Sequence, residues 1–191
     1  MSRRYFGIAD THLHHEKMHK FTRADGTVTR PNPITKKPFE SMKEHDEFII
    51  EQWNKTVNQD GDTVYLLGDA CINPKGLHKL GLLNGRKILV PGNHDIFHYK
   101  EYAKYFADIR GCIIRNKVIF SHFPIHEDNV GRYALNVHGH THEYRLENPK
   151  YLNVSLEQTP DFCPIPLDAI YAYRDSIAQS VPKDEETKTH D

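Results

Sequence analysis

Five short apolar runs in this chain each stop at an aspartate, histidine or asparagine. Residues 4–9 run into Asp10-Thr11-His12, residues 62–68 end in Gly68 and meet Asp69, and residues 86–90 run into Pro91-Gly92-Asn93-His94-Asp95. Residues 117–121 end at Ser121 before His122, and residues 133–138 end in His138-Gly139-His140-Thr141-His142. Apolar runs of this length, bounded by Gly, Pro or Asn, read as buried strands. Ligands in open α/β sheets gather beyond the carboxyl ends of strands. The pattern therefore predicts five strand ends that deliver Asp, His and Asn towards one place.

The segments between the runs fit the same plan. Ser41 followed by Glu44 has capping-box spacing, and Phe48, Ile49, Trp53 and Val57 continue it as an apolar helical stripe, which reads as core rather than as a binding feature. Asp60-Gly61 is a turn, and Pro74 starts a short helix over 74–83. Residues 97–107 read as helix, 111–115 and 117–121 as a hairpin turning near Asn116, and 150–156 as a further strand. Residues 21–40 hold Gly26, Pro31, Pro33 and Pro38 and read as a long loop, a feature often tied to function in compact domains. The order of strands and helices predicts an α/β layered domain.

The 191 residues suffice for one domain with a single core, expected over 1–175; from residue 176 apolar residues thin out and 176–191 reads as a disordered tail. A formal net charge of −1 gives no global field for nucleic acid, and nothing resembles a secretory signal or a membrane span. Three scattered cysteines, Cys71, Cys112 and Cys163, without a CxxC pair suit reduced thiols. The expected compartment is the cytoplasm. No membrane partner and no nucleic acid is indicated by charge, and oligomeric state is open.

Fourteen histidines are present, and several sit at the strand ends. The donors there are Asp10, His12, Asp69, Asn93, His122, His140 and His142. Imidazole, carboxylate and amide oxygen without thiolate suit Mn, Fe, Zn or Ni rather than a structural zinc. Seven donors exceed one tetrahedral ion and suit two ions sharing a carboxylate. Mn is the first choice.

These motifs resemble those of the calcineurin-like metallophosphoesterase superfamily: Asp-x-His, Gly-Asp, Gly-Asn-His-Asp, a lone His and Gly-His-x-His, all present between residues 5 and 142. The segments KPFESMKEHDEFIIEQWN, NGRKILVPGNHD and LNVSLE are similar to small bacterial and phage phosphoesterases of that group. The resemblance implies a sandwich of two β-sheets flanked by helices. It implies Asp10, His12 and His142 on a first metal, Asn93, His122 and His140 on a second, and Asp69 bridging them. It makes His94 and Asp95 the catalytic pair, with His94 assisting the leaving group, Asp95 orienting His94, and a metal-activated hydroxide attacking.

The resemblance implies a two-metal phosphodiesterase on small or nucleotide substrates, so the expected partner is a small phosphorylated substrate and the expected setting a bacterial cell or a phage-infected host. A phosphomonoesterase or nucleotide phosphatase is the alternative. A nuclease is disfavoured by the charge, and a non-catalytic scaffold by the full set of donors. His15 is a candidate for the site mouth, and His126 and His138 for supporting contacts. Arg23, Arg30, Lys36 and Lys37 of the long loop either reach a substrate phosphate or are solvated.

Overall fold

A computed structural model of the chain describes residues 3–180. Nine strands lie within them: β1 Tyr5–Ile8, β2 Thr63–Leu66, β3 Arg86–Leu89, β4 Asp108–Ile109, β5 Ile113–Arg115, β6 Val118–Phe120, β7 Leu135–His138, β8 Tyr151–Asn153 and β9 Ile165–Pro166. The α-helices are α1 Met42–Thr56, α2 Tyr99–Tyr102, α3 Glu127–Val130 and α4 Leu167–Ser180. One sheet has the order β4-β3-β2-β1-β9 and the other β5-β6-β7-β8. In the first, β1 to β4 are parallel and β9 runs antiparallel to β1. In the second, β6, β7 and β8 are parallel and β5 pairs antiparallel with β6.

The central strands read as continuous apolar runs because both faces of their sheet are covered. Successive side chains point to opposite faces. Val64 and Leu66 of β2 join a core with Trp53 and Ile49 of α1. Tyr65 and the neighbouring Leu67 face the other way, against Phe120 and Val137 of the second sheet. The result is a layered α/β sandwich of two sheets with helices outside.

Local signals hold where their partners are near in sequence. Ser41 Oγ caps α1 by accepting from Glu44 N at 3.1 Å. Asn116 and Lys117 both take positive φ, 51° and 60°, between β5 and β6. That is the left-handed pair a two-residue hairpin turn needs.

The short helix expected from Pro74 is present over Pro74–Leu82 and is of the 3-10 type. Two expectations are corrected. Residues 97–107 are α-helical only over Tyr99–Tyr102. The aromatics there face the core at irregular spacing, with Tyr102 and Phe106 buried, so no single helical face forms. The chain stays helical to Ser180, so residues 176–180 belong to α4 and not to a tail; 181–191 lie outside the described residues. No helix among the described residues is long and apolar enough to cross a membrane.

Candidate metal centre

The parallel strands bring their carboxyl ends to one edge, and there the two sheets are stitched together. Ala9, just past β1, donates to Val154 O at 2.9 Å and accepts from Leu156 N at 3.1 Å, just past β8. This joint sets Asp10 beside Ser155. Asp10 Oδ2 accepts from Ser155 Oγ at 2.7 Å and from His140 N at 2.9 Å.

The backbone is bent sharply at the donors. Asp10, His12, Asp69, His140 and His142 all have positive φ, between 45° and 68°. Asp and His tolerate this region better than most residues, yet it remains uncommon and clusters at functional sites. Gly68 makes the bend before Asp69, at φ 82°; a Cβ there would lie 2.5 Å from His122 Nδ1 and 2.6 Å from Gly92 N. Only glycine lets these loops close on each other.

Donor atoms then converge. Asp10, His12 and His142 form one group with atoms within 4.8 Å of each other; Asp10, Asp69 and His122 form a second. Asn93 Oδ1 sits 3.0 Å from both His122 Nε2 and His140 Nδ1. Asp69 faces both sides, with Oδ2 3.5 Å from His12 Nε2 and Oδ1 3.7 Å from His122 Nε2. Asp10 belongs to both compact groups, so geometry alone makes it as central as Asp69. Its Oδ2 is taken by Ser155 and His140, which leaves one free oxygen.

Asp10 Oδ1 and both ring nitrogens of His12 are buried without a hydrogen-bond partner among the described residues. Unpaired buried polar atoms cost about 1–3 kcal/mol each and call for an explanation. Cations supply one. The electrostatics agree: burial pushes the Asp10 carboxyl up to about 6, and burial and nearby Arg30 and histidines push the His12 imidazole well down. Neutral imidazole is the metal-ligating form. The donor chemistry therefore fits divalent ions.

Second partners fix the tautomers. His122 Nδ1 donates to Leu67 O at 2.8 Å, which leaves the Nε2 lone pair facing Asn93 and Asp69. His142 Nδ1 lies 3.0 Å from Glu157 Oε1, so its N–H donates there and Nε2 is left free. Such partners orient ligating histidines.

From the sequence Glu157 has no role, and Arg30 stands there only as a substrate-phosphate contact or a solvated side chain of the long loop. Glu157 Oε1 also accepts from Arg30 Nε at 2.9 Å and Nη2 at 2.6 Å. Arg30 is fully buried and donates Nη2 to Asp10 O at 2.9 Å. Burial alone would raise the Glu157 carboxyl, but Arg30 and then His142 outweigh it and hold it at about 2. Burial lowers the His142 imidazole, yet Glu157 overcomes it and the net shift is upward. Arg30 thus neither meets a substrate phosphate nor is solvated. The available signal was the LNVSLE segment, which holds Ser155 and Glu157.

The remaining expected residues separate. The His94 ring is exposed at the site, 5.4 Å from His12 between ring centres. Asp95 does not orient it. Its oxygens accept from Asp69 N at 2.7 Å, Gly92 N at 2.8 Å and Ala70 N at 3.0 Å, and so tie the two ligand loops together. Backbone amides outcompete the ring because Asp95 turns inward and is buried. His15 lies 6.0 Å from His12 at the mouth. His138 is buried, with Nδ1 donating to Gly139 O at 2.8 Å, while His126 is exposed and caps α3.

Comparisons with known proteins bear on this arrangement. Uncharacterized protein MJ1445 of Methanocaldococcus jannaschii is 31% identical over 183 residues, covering 88% of this chain and 89% of its own. The crystal structure of AQ665, a protein of unknown function from Aquifex aeolicus, superposes with a TM-score of 0.61 at 24% identity, over 90% of this chain and 99% of that one; this likeness concerns the fold. The sequence pattern of the calcineurin-like phosphoesterases runs over residues 4–172, from β1 into α4 and through every donor loop, so the chain belongs to the calcineurin-like phosphoesterase family.

Proposed function

We propose that this chain is a two-metal hydrolase that cleaves phosphodiesters of small or nucleotide type. The observation that carries the proposal is the pair of donor groups that share Asp10, with Asp69 between His12 and His122 and with buried atoms of Asp10 and His12 that lack a hydrogen-bond partner among the described residues. Asp10, His12 and His142 would hold one ion, and Asn93, His122 and His140 the other. Asp69 would serve both. Divalent ions in such a pair neutralise phosphate charge and lower the pKa of water. Mn²⁺ suits the oxygen-rich, thiolate-free set, with Fe, Zn and Ni as alternatives.

His94 is the group for proton transfer. Its ring is exposed beside the donors, and its backbone N–H donates to Asp69 Oδ1 at 2.9 Å, which fixes its approach. An exposed imidazole there can give a proton to the leaving oxygen. Asp95 serves by holding the Asp69 and Gly92 loops, not by touching His94.

Diester preference is supported by where two of the four cations of the long loop go; the other two, Lys36 and Lys37, are exposed and do not line the cavity beside His94 and His142. Arg30 is buried on Glu157, and Arg23 Nε donates to Glu143 at 2.8 Å. Neither is left for the second charge of a monoester, and a dianion held tightly in the ground state gains no rate from that binding. The test is kcat/KM for bis(p-nitrophenyl) phosphate against p-nitrophenyl phosphate, across Mn²⁺, Fe²⁺, Zn²⁺ and Ni²⁺. Faster turnover of the diester is expected. A clear monoester preference overturns the substrate reading, and turnover in metal-stripped protein overturns the mechanism.

A further inference from the structure

The long loop over 21–40 is not a slack connection. Residues 22–28 form a small hairpin, with a bridge between Thr22 and Val28 and Arg23 N donating to Thr27 O at 2.7 Å. The Arg23 guanidinium fills its concave side, donating to Val28 O at 2.7 Å, Thr29 O at 3.1 Å and Thr27 Oγ1 at 3.1 Å. The same guanidinium pairs with Glu143, one residue past His142. Arg30 anchors the hairpin's other end in the core. Two ion pairs thus fix the loop against the metal centre.

Between loop and centre lies a cavity of about 530 Å³. That is within the ~300–1,000 Å³ of small-ligand sites. His12, His94 and His142 form its inner end, and His15, Met18 and Phe21 its outer wall. Phe21 is 42% exposed, with its ring 5.3 Å from that of His15. Its carbonyl accepts from Thr29 N at 2.8 Å and from Thr29 Oγ1 at 3.2 Å, so the ring stands on a pinned backbone. The charged chains lining the cavity are Glu143 and Glu157, each held by an arginine, and no lysine or arginine lines it.

We infer that this cavity is a subsite for a flat heteroaromatic group, the nucleobase of a nucleotide ester whose phosphate sits at the metal centre. The inference rests on the proposed phosphodiesterase reading and names its substrate class. An exposed aromatic ring beside an imidazole offers stacking to any base, through geometry that aromatic pairs favour. The Met18 sulfur adds a polarizable contact. A second phosphate is excluded, because the wall holds two carboxylates and no uncommitted cation. Since the buried Arg30–Glu157 pair and the backbone bonds of the hairpin hold the wall beforehand, little ordering opposes binding.

The experiment measures binding of adenosine 5′-monophosphate and ribose 5-phosphate to the Mn²⁺-loaded protein by calorimetry. The two differ only in the base. The wild type should bind the nucleotide ~10-fold or more tightly, the range that one stacked base supplies. Phe21→Ala should bring the two affinities within about threefold, and Phe21→Tyr should keep the preference. Equal affinities in the wild type, or a preference that survives Phe21→Ala, overturn the subsite. Circular dichroism checks that the variants fold. Diester turnover is scored separately. Base preference without any hydrolysis would refute the proposed activity and leave the subsite standing, and hydrolysis without base preference would do the reverse.

Discussion

Replacing Glu157 with glutamine should damage both the fold and one metal site. One Glu157 oxygen accepts from both Arg30 Nε and Nη2 and from His142 Nδ1. Glutamine keeps the volume but removes the charge that Arg30 needs, and Arg30 is 0% exposed. Breaking a buried pair on one side costs about 3–5 kcal/mol. For a chain of this length each kcal/mol lowers Tm by about 2–4 °C, so the melt should fall by roughly 6–20 °C. The amide also presents an N–H to the His142 N–H in some rotamers, and the ring loses its orienting partner. Affinity at the Asp10–His12–His142 group should fall about 10- to 100-fold. The assays are thermal melts of metal-stripped protein and metal titration by calorimetry. The double variant Arg30→Met with Glu157→Leu separates the two effects: an apolar replacement of the whole pair should recover most of the melt but not the metal affinity. A Glu157→Gln melt within about 1 °C of the wild type, or metal affinity restored in the double variant, would refute the reasoning.

The remaining expectations are simpler to read. Chelation should abolish phosphoester hydrolysis and added Mn²⁺ should restore it, as measured by activity alongside elemental analysis. His94→Ala should keep its metal content while the rate falls by roughly 10²–10⁴, with the smaller loss on esters of good leaving groups; loss of metal instead would remove His94 from the proton-transfer role. Asp69→Asn should deplete both ions and His142→Ala mainly one, and equal stoichiometry in the two would contradict the shared role of Asp69. Glu157 sets an acid limit. Its folded pKa, about 2, is depressed from 4.5, so its stabilisation is complete above about pH 4.5 and fades as pH falls towards 2. The Tm gap between metal-stripped wild type and Glu157→Gln should therefore be widest near neutral pH and shrink below about pH 4.5; a gap constant to pH 2.5 would argue against the ion pair.

The sequence by itself determined the features that depend on near neighbours or on chain direction. Parallel buried strands advertise themselves as apolar runs with polar residues directly after them, so the convergence of Asp10, His12, Asp69, Asn93, His122, His140 and His142 on one place was legible as a set of candidate donors. Ser41 and Asn116 were legible because a cap and a two-residue turn are local chemistry. Tertiary structure decided what rests on distant partners. Strands β4 and β9 are two residues long and exist only because β3 and β1 present unpaired edges; Pro166 is tolerated at such an edge. The spacing of Leu167, Ile170 and Ile177 suits α4, but polar residues after 175 mask it until Leu167 and Ile170 bury against the sheets. Asp95 turned from the histidine beside it to three amides, two of them 25 and 26 residues away. Arg30 and Glu157 are 127 residues apart, and no local pattern marks a charge that will be buried. Folding alone brings them together, because a guanidinium taken out of water must find a carboxylate wherever the chain supplies one.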